Sequence, residues 1–140
     1  MRLALIADDK KKELMTQFCI AYCGILSKHD ICTTSITGKY IEDATGLKLE
    51  KLMSGTHGGI QQIVSRISYD EVDMLIYMRD PTVEHRPDTK EVIENLLRLC
   101  DIHGVPAATN IATAEILIGG LDRGDLDWRM NAKPRTTLNF

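Results

Sequence analysis

The sequence lacks any apolar run that approaches the roughly 20 residues needed to cross a bilayer as a helix. The opening stretch, Met-Arg-Leu-Ala-Leu-Ile-Ala-Asp-Asp, is too short and too quickly acidic to be a secretory signal. We therefore expect neither a membrane partner nor export, and by elimination we expect a cytoplasmic location.

Basic residues are not in excess either. The 140 residues include 17 Lys and Arg against 20 Asp and Glu, which gives a formal net charge of −3. Broad nucleic-acid binding depends on clustered basic side chains, so this balance argues against a nucleic-acid partner. The hydrophobic share of 44% is ordinary for a globular chain, and the length predicts one domain spanning residues 1–140.

The sequence also has no Cys-x-x-Cys pair among its four cysteines. Cys19 and Cys23 are one helical turn apart, whereas Cys32 and Cys100 stand alone in apolar surroundings. This pattern favours reduced, buried packing cysteines over a disulfide framework or a metal site.

What the sequence does contain is an alternation of strand and helix signals. Short apolar runs predict strands at 3–7, 31–34, 47–53, 74–78 and 105–109. Helical periodicity predicts helices at 10–27, 39–44, 61–67, 88–102 and 112–119. Alternation of this kind predicts an α/β fold, a single Rossmann-like domain with a parallel five-stranded sheet and helices on both faces. Residues 121–140 are mixed and polar, and we expect them to form a C-terminal surface tail.

Polar residues follow each predicted strand, at 8–9, 34–37, 54–59, 79–80 and 109–110. Ligands of parallel sheets bind beyond the carboxyl ends of the strands, so these loops predict one site at one edge. Two of the loops, 33–39 and 54–62, are glycine-containing turns that open predicted helices. Free backbone amides at a helix start, with nearby hydroxyls, suit a phosphate-sized anion, although ordinary Ser and Thr capping gives the same pattern. Together the two turns indicate a phosphorylated small molecule.

Several blocks of the sequence resemble methylglyoxal synthase. They include Ser-Gly-x-x-Gly-Gly-x-Gln-Gln at 54–62, Asp80-Pro81, His85-x-Pro87-Asp88, Ala-Thr-Asn-x-Ala-Thr-Ala at 108–114 and Arg-Gly-Asp-x-Asp-Trp at 123–128. The similarity runs from residue 2 to residue 129. It implies a carbon–oxygen lyase, usually a homohexamer, that converts dihydroxyacetone phosphate to methylglyoxal and inorganic phosphate without a metal or an organic cofactor.

The resemblance also assigns roles to individual positions. The residues implied to hold the substrate phosphate are Lys12, Thr34, Thr37 and Gly55. The residues that match supporting catalytic positions are Asp9, Asp80, His85 and Asp88. Two purely structural interpretations stay open: Asp80 caps a turn, and the 85–88 segment is a surface loop followed by a helix cap.

Departures from the family pattern fall in the expected site. Ile60 occupies the place of the aspartate that acts as the base, and isoleucine cannot accept a proton. Asp8 stands where the family has histidine, and Ile36 replaces a threonine. Neighbouring strand residues point to opposite faces, so only one of Asp8 and Asp9 should enter the site unless the strand has already ended, and the resemblance favours Asp9. His57, or one of these two carboxylates, is a hypothetical substitute base; otherwise His57 is an exposed loop histidine.

Three functions follow from this sequence. The first is a methylglyoxal synthase-type lyase, with inorganic phosphate as product or regulator. The second is a non-catalytic module that binds or senses a phosphorylated metabolite, because related domains sense ligands in carbamoyl-phosphate synthetases. The third is a lyase for a different phosphorylated substrate, since Ile36 and Ile60 make the site more apolar.

Overall fold

The structure, a computed structural model, describes residues 1–130. Its strands are β1 (Arg2–Ala7), β2 (Asp30–Thr33), β3 (Glu50–Lys51), β4 (Met74–Met78) and β5 (Ala107–Ala108). Its helices are α1 (Lys12–Ala21), α2 (Cys23–Leu26), α3 (Ser35–Thr45), α4 (Gly59–Ser68), α5 (Pro87–His103) and α6 (Ile111–Arg123). Short 3₁₀ turns, Asp9–Lys11 and Gly55–His57, precede α1 and α4.

The strands form one five-stranded sheet in the order β3-β2-β1-β4-β5, and every pairing is parallel. The predicted α/β fold is therefore confirmed. The chain builds outwards from β1 to β3 and then returns to place β4 on the other side of β1. The gap between the ends of β1 and β4 is thus the topological switch point, where parallel α/β sheets bind ligands.

Two apolar layers cover the sheet. In the first, which we call the α1 layer, β1 and β4 pack against α1, α3 and α6 through residues such as Leu5, Ile76 and Phe18. In the second, the α4 layer, alternate residues of the same strands pack against α4 and α5. Both faces of β1 and β4 are therefore buried, which explains why these strands are continuous apolar runs.

The four cysteines are free thiols, as the sequence predicts. Cys19 lies in the α1 layer, and Cys32 and Cys100 lie in the α4 layer. Burial raises the pKa of the Cys19 thiol to about 12 and that of the Cys100 thiol to about 11. These thiols therefore stay protonated and act as small apolar groups.

Two element predictions differ from the structure. The predicted strand 47–53 forms pairs only at Glu50–Lys51, although Leu47 and Leu52 are buried as loop residues. The helix predicted at 39–44 begins at Ser35, because Gly38 lies inside α3 rather than at a turn. A Cβ on Gly38 would lie 2.2 Å from Thr33 Oγ1, so the position needs glycine for close packing of helix on strand.

The C-terminal region is partly buried as far as it is described, up to residue 130. Helix α6 continues to Arg123, and Leu121 is buried. Arg129 is also buried: it lies 3.5 Å from Asp73 Oδ1 and donates to the backbone oxygen of Gly104. Residues 131–140 of the predicted tail lie outside the described residues. No helix within 1–130 is long and apolar enough to cross a membrane.

Candidate functional site

The candidate site is the edge of the sheet where the parallel strands end, which we call the carboxyl edge. Backbone hydrogen bonds join neighbouring loops there. Ser35 N donates to Met53 O at 3.3 Å, and Arg79 N donates to Thr109 O at 3.3 Å. The loops that the sequence assigns to one edge are thus adjacent, with the switch point between β1 and β4 at their centre.

Asp8 is the residue that spans the switch point. Its backbone N donates to Met78 O at 3.1 Å. Its carboxylate oxygen Oδ1 accepts from the Tyr77 hydroxyl at 2.8 Å, and Oδ2 accepts from the backbone N of Asp80 at 2.8 Å. His85 Nε2 lies 3.7 Å from Oδ1, which is an ion-pair distance rather than a hydrogen bond. Asp8 therefore ties the end of β1 to the loop after β4.

Asp8 is the inward-facing carboxylate of the pair, whereas the sequence favours Asp9. The Asp9 side chain is 98% exposed, whereas that of Asp8 is only 11% exposed. The reason is strand alternation: Ala4 and Ile6 face the α4 layer, and Asp8 continues that face before the chain turns into the 3₁₀ segment. Asp9 remains beside the site through its carboxylate, which is 3.5 Å from Lys12 Nζ.

Asp80 has one engaged and one free carboxylate oxygen. Oδ1 accepts from the Thr82 backbone N at 2.9 Å and from the Thr82 hydroxyl at 2.6 Å, so the side chain does cap its turn. Oδ2 is buried and has no hydrogen-bond partner among residues 1–130. Hydrogen bonds from the Thr82 hydroxyl and backbone hold the pKa of the Asp80 carboxyl below its ordinary value. The second oxygen is therefore an unpaired acceptor beneath the surface of the carboxyl edge.

The lowered pKa of Asp80 predicts a pH-dependent stability. A carboxyl whose folded pKa is depressed stabilises the fold above its unfolded pKa, near 3.8, and loses that contribution as the pH falls through the folded value. Replacing Thr82→Val should therefore lower the free energy of unfolding at pH 7 and matter progressively less below pH 3.8. Urea titrations over this pH range measure the difference.

The control for this prediction is Thr45→Val. The Thr45 hydroxyl donates to the backbone oxygen of Ile41 at 2.7 Å, which does not titrate. Its effect on stability should be the same at each pH. A Thr82→Val effect that is equally constant would contradict the assignment of the Asp80 pKa to Thr82.

His85 and Asp88 are separated by the structure. His85 is half-buried and faces Asp8. Asp88 is exposed in the first turn of α5, where its Oδ1 lies 3.6 Å from Arg86 Nε. The N-cap of α5 is Arg86, so Asp88 is not the helix cap that the structural interpretation of this segment expects. Of the predicted catalytic residues, Asp80 and His85 thus meet at Asp8, and Asp88 lies outside that contact.

The predicted phosphate-binding residues occupy three loops of the carboxyl edge. Thr34 and Thr37 are buried, and their hydroxyl oxygens are 3.3 Å apart. The Thr34 side chain, at the N-cap of α3, makes no capping hydrogen bond within the described part of the chain. Lys12 Nζ donates to Ala7 O at 2.7 Å, and Gly55 begins the 3₁₀ turn before α4. Two helix starts, two hydroxyls and one ammonium group suit an oxyanion.

The turn at 54–59 is built by its two consecutive glycines. Gly58 has a φ of 97°, a conformation that glycine adopts without strain. A Cβ on Gly59 would lie 2.0 Å from Met53 O, and Gly59 N donates to Ser54 O at 2.8 Å. Gln62 Oε1 accepts from Met53 N at 2.7 Å and holds the loop against α4. The turn is therefore fixed by contacts within itself.

Ile60 points into the apolar layer behind this turn. It is 8% exposed and belongs to the α4 layer. A Cβ on Gly55 would lie 3.9 Å from the Cγ1 and Cδ1 atoms of Ile60, so the Ile60 side chain lies directly beneath the turn. Ile36, by contrast, is exposed on the first turn of α3. The wall of the site at residue 60 is hydrocarbon.

His57 is an exposed residue of the same turn. Its Nδ1 lies 2.6 Å from Ser54 Oγ and 3.1 Å from Thr56 Oγ1. These hydroxyl contacts occupy one ring nitrogen and hold the imidazole on the surface of the turn. The exposed-loop interpretation of His57 matches its position, and its role as a substitute base stays a hypothesis.

Sequence reasoning missed two side chains, Tyr77 and Thr82. Tyr77 reads as one more apolar residue of a buried strand, and Thr82 as loop. The available signal was the alternation of strand residues between the two faces of the sheet. Tyr77 pairs with Ile6 in the parallel register, and Ile6 lies two residues before Asp8 on the same face. A buried tyrosine needs a hydrogen-bond partner, and the carboxylate at the end of the neighbouring strand supplies it.

A cavity of about 1020 Å³ lies at the opposite edge of the sheet. It is lined by residues that include Arg2, Asp30, Lys48, Glu50 and Arg66. Two of its charges already pair, since Arg66 donates through both terminal nitrogens to the Glu50 carboxylate. This ion pair holds the pKa of Glu50 below its ordinary value. The free acceptor and the open helix starts are at the carboxyl edge, which remains the candidate site.

The fold and this edge define a single-sheet parallel α/β protein with a polar cluster at its topological switch point. Residues 17–109 match the family model described as "MGS-like domain". Methylglyoxal synthase of Caldicellulosiruptor saccharolyticus is 54% identical over 99% of this chain and 97% of its own. That of Thermoanaerobacterium thermosaccharolyticum is 50% identical over 95% and 98%. The chain belongs to the methylglyoxal synthase family, and the predicted resemblance is confirmed.

A solved structure supports the same assignment. The crystal structure of methylglyoxal synthase from Elizabethkingia anophelis matches with a TM-score of 0.74 at 36% identity. The match covers 84% of this chain and 76% of that chain.

Proposed function

We propose that this chain is a methylglyoxal synthase-type lyase that converts dihydroxyacetone phosphate to methylglyoxal and inorganic phosphate. The observation that carries the proposal is the meeting of Asp8, Asp80 and His85 at the switch point of a chain 54% identical to a methylglyoxal synthase. We further propose a cytoplasmic homohexamer, in keeping with the sequence and the family resemblance.

The reaction makes three demands on the site. The phosphate group must be held, a proton must leave the carbon next to the ketone, and the resulting ene-diolate must be stabilised. The carbon–oxygen bond to phosphate then breaks, phosphate leaves with the bonding electrons, and the enol that remains becomes methylglyoxal. Lys12, Thr34, Thr37 and Gly55 hold the phosphate in this scheme, and His85 donates to the ene-diolate oxygen.

The proton acceptor is the weak part of the site. Ile60 removes the aspartate that the family uses, and one general base typically supplies a factor of about 10²–10⁴. The remaining acceptors are Asp80, through its free Oδ2, the Asp8 carboxylate, the exposed Asp9 and His57. Asp80 keeps a free Oδ2, but its lowered pKa makes it a weak base. We therefore propose slow turnover.

A second candidate is a module that binds a phosphorylated metabolite without converting it. The burial of Ile60 in the α4 layer favours it, because the site keeps its anion-binding donors while its wall is hydrocarbon. A lyase for a more apolar phosphorylated substrate is the third. Inorganic phosphate is a product in the lyase schemes and a ligand or regulator in the binding scheme.

A turnover assay with dihydroxyacetone phosphate separates these functions. We expect the purified protein to form methylglyoxal and phosphate in equal amounts, at a rate above that of buffer. If no methylglyoxal forms but inorganic phosphate raises the melting temperature, the binding module replaces the lyase. If neither occurs, the carboxyl edge is not a phosphate site.

The anion-binding half of the site has its own prediction. Lys12→Met should weaken phosphate binding about tenfold to a hundredfold, because a charge-assisted hydrogen bond contributes about 1.5–3 kcal/mol. Isothermal titration calorimetry measures the dissociation constant. Lys48→Met is the matched control, since it removes the same charge at the opposite edge of the sheet. Equal weakening by both variants would show a general charge effect and contradict the role of Lys12.

A further inference from the structure

We propose that Tyr77 is a positioning residue of this site: its hydroxyl holds the Asp8 carboxylate in the orientation that faces His85. The proposal rests on the proposed lyase function for its effect on turnover. It concerns a pair of residues, an aspartate in the histidine position of the family and a tyrosine on the neighbouring strand, that only the folded chain brings together.

The first argument is geometric. The two oxygens of Asp8 accept from different donors, Tyr77 at 2.8 Å and the Asp80 backbone at 2.8 Å. Two donors on opposite oxygens fix the rotation of a carboxylate about its last side-chain bond. Without the Tyr77 hydroxyl, one backbone bond would remain, and the Oδ1 atom that faces His85 would be free to turn away.

The second argument is the rigidity of Tyr77 itself. Its ring is fully buried in the α4 layer, and the Arg79 guanidinium lies 5.7 Å from the ring centre. Burial, with the hydrogen bond to Asp8, raises the pKa of the Tyr77 hydroxyl well above its ordinary value. The phenol therefore stays protonated and donates throughout the neutral pH range. A fixed donor on a central strand is a precise support for a neighbouring side chain.

The third argument is electrostatic. Asp8 presents negative charge at the switch point, 3.7 Å from His85 Nε2. A carboxylate there repels the phosphate of an anionic ligand, whereas the Lys12 ammonium, although Asp9 lies 3.5 Å from it, and the Thr34 hydroxyl offer donors to that phosphate. The carbon end of the ligand is left next to His85. Holding Asp8 in place thus orients both the histidine and the substrate.

The test is Tyr77→Phe, with Tyr22→Phe as matched control. The Tyr22 hydroxyl also donates to a carboxylate, Glu115, at 2.8 Å, but on the exposed surface. We expect Tyr77→Phe to lower kcat for dihydroxyacetone phosphate about tenfold, the size of one hydrogen bond, with KM changed less than about twofold. Tyr22→Phe should change neither. A rise in KM with kcat unchanged, or an equal effect of both variants, would overturn the proposal.

A double variant shows whether Tyr77 acts through Asp8. If it does, Tyr77→Phe should have no further effect in an Asp8→Ala background, because the acceptor that it positions is already gone. If the two substitutions instead lower kcat by the product of their separate factors, Tyr77 acts independently of Asp8, and the proposal is overturned. Circular dichroism and melting curves confirm that each variant is folded.

Proton NMR gives a readout that does not depend on turnover. A buried hydroxyl bonded to a carboxylate exchanges slowly and gives a downfield resonance, which should vanish in Tyr77→Phe and persist in Tyr22→Phe. The His85 ring resonances should move in Tyr77→Phe. If the wild type makes no methylglyoxal but these signals behave as described, the lyase function fails and the positioning of Asp8 stands. If the resonance is absent or the His85 signals stay fixed, the positioning fails.

Discussion

An Ile60→Asp variant is expected to form methylglyoxal from dihydroxyacetone phosphate about 10²–10⁴-fold faster than the unmodified chain, the usual contribution of one general base. Ile60 lies behind the 54–59 turn and is 8% exposed, so the new carboxylate would face the turn from a mostly apolar wall. Burial raises the pKa of such a carboxyl and makes it a stronger base. The initial rate of methylglyoxal formation measures the gain.

Ile60→Asn is the matched control for this gain. Asparagine has the shape of aspartate and disturbs the apolar layer similarly, but its amide is not a base. We expect it to turn over no faster than the unmodified chain. If both variants gain equally, the effect comes from loosening the turn, and the missing base is not what limits the rate.

Gly59→Ala should destabilise the protein by about 1–3 kcal/mol, the cost of forcing extra volume into a packed site. The added Cβ would lie 2.0 Å from Met53 O and 2.9 Å from Ser54 O, and both are backbone atoms that cannot rotate aside. The turn must therefore open, and the start of α4 must move with it. We expect the free energy of unfolding in urea to fall and the phosphate-induced rise in melting temperature to disappear.

The same substitution at Gly24 is the control. A Cβ there meets nothing within 4 Å among the described residues, and Gly24 lies within a helix, where alanine is preferred. Gly24→Ala should leave phosphate binding unchanged and stability equal or slightly higher. If Gly59→Ala is as harmless as Gly24→Ala, the tight approach of α4 to Met53 is not required for the site.

Much of the fold follows from local sequence pattern. The apolar runs that become β1 and β4 are unambiguous because both faces of these strands are covered. Pattern fails at β3, where Leu47 and Leu52 are buried without strand pairing, since burial alone does not require a ladder. It fails again at Gly38, because a glycine that allows close packing inside a helix looks the same in sequence as a glycine that ends one.

The candidate site was predictable in place but not in detail. The carboxyl edge follows from the positions of the polar loops, and the family follows from the motifs. Which of Asp8 and Asp9 turns inward depends on where β1 ends, and strand ends are poorly marked in sequence. Tyr77 was missed because its partner lies 69 positions away in the chain, and only the register of β1 with β4 brings the two together. The assigned roles of the individual site residues stay predictions.

The buried thiols have a practical consequence. Alkylation requires a thiol that is both accessible and deprotonated. Burial makes Cys19 and Cys100 inaccessible and raises their pKa values. Because Cys19 lies in the α1 layer and Cys100 in the α4 layer, each reagent adduct can form only when its own side of the sheet opens. Mass spectrometry of the labelled peptides would therefore report the local opening of the two sides separately, without any introduced probe.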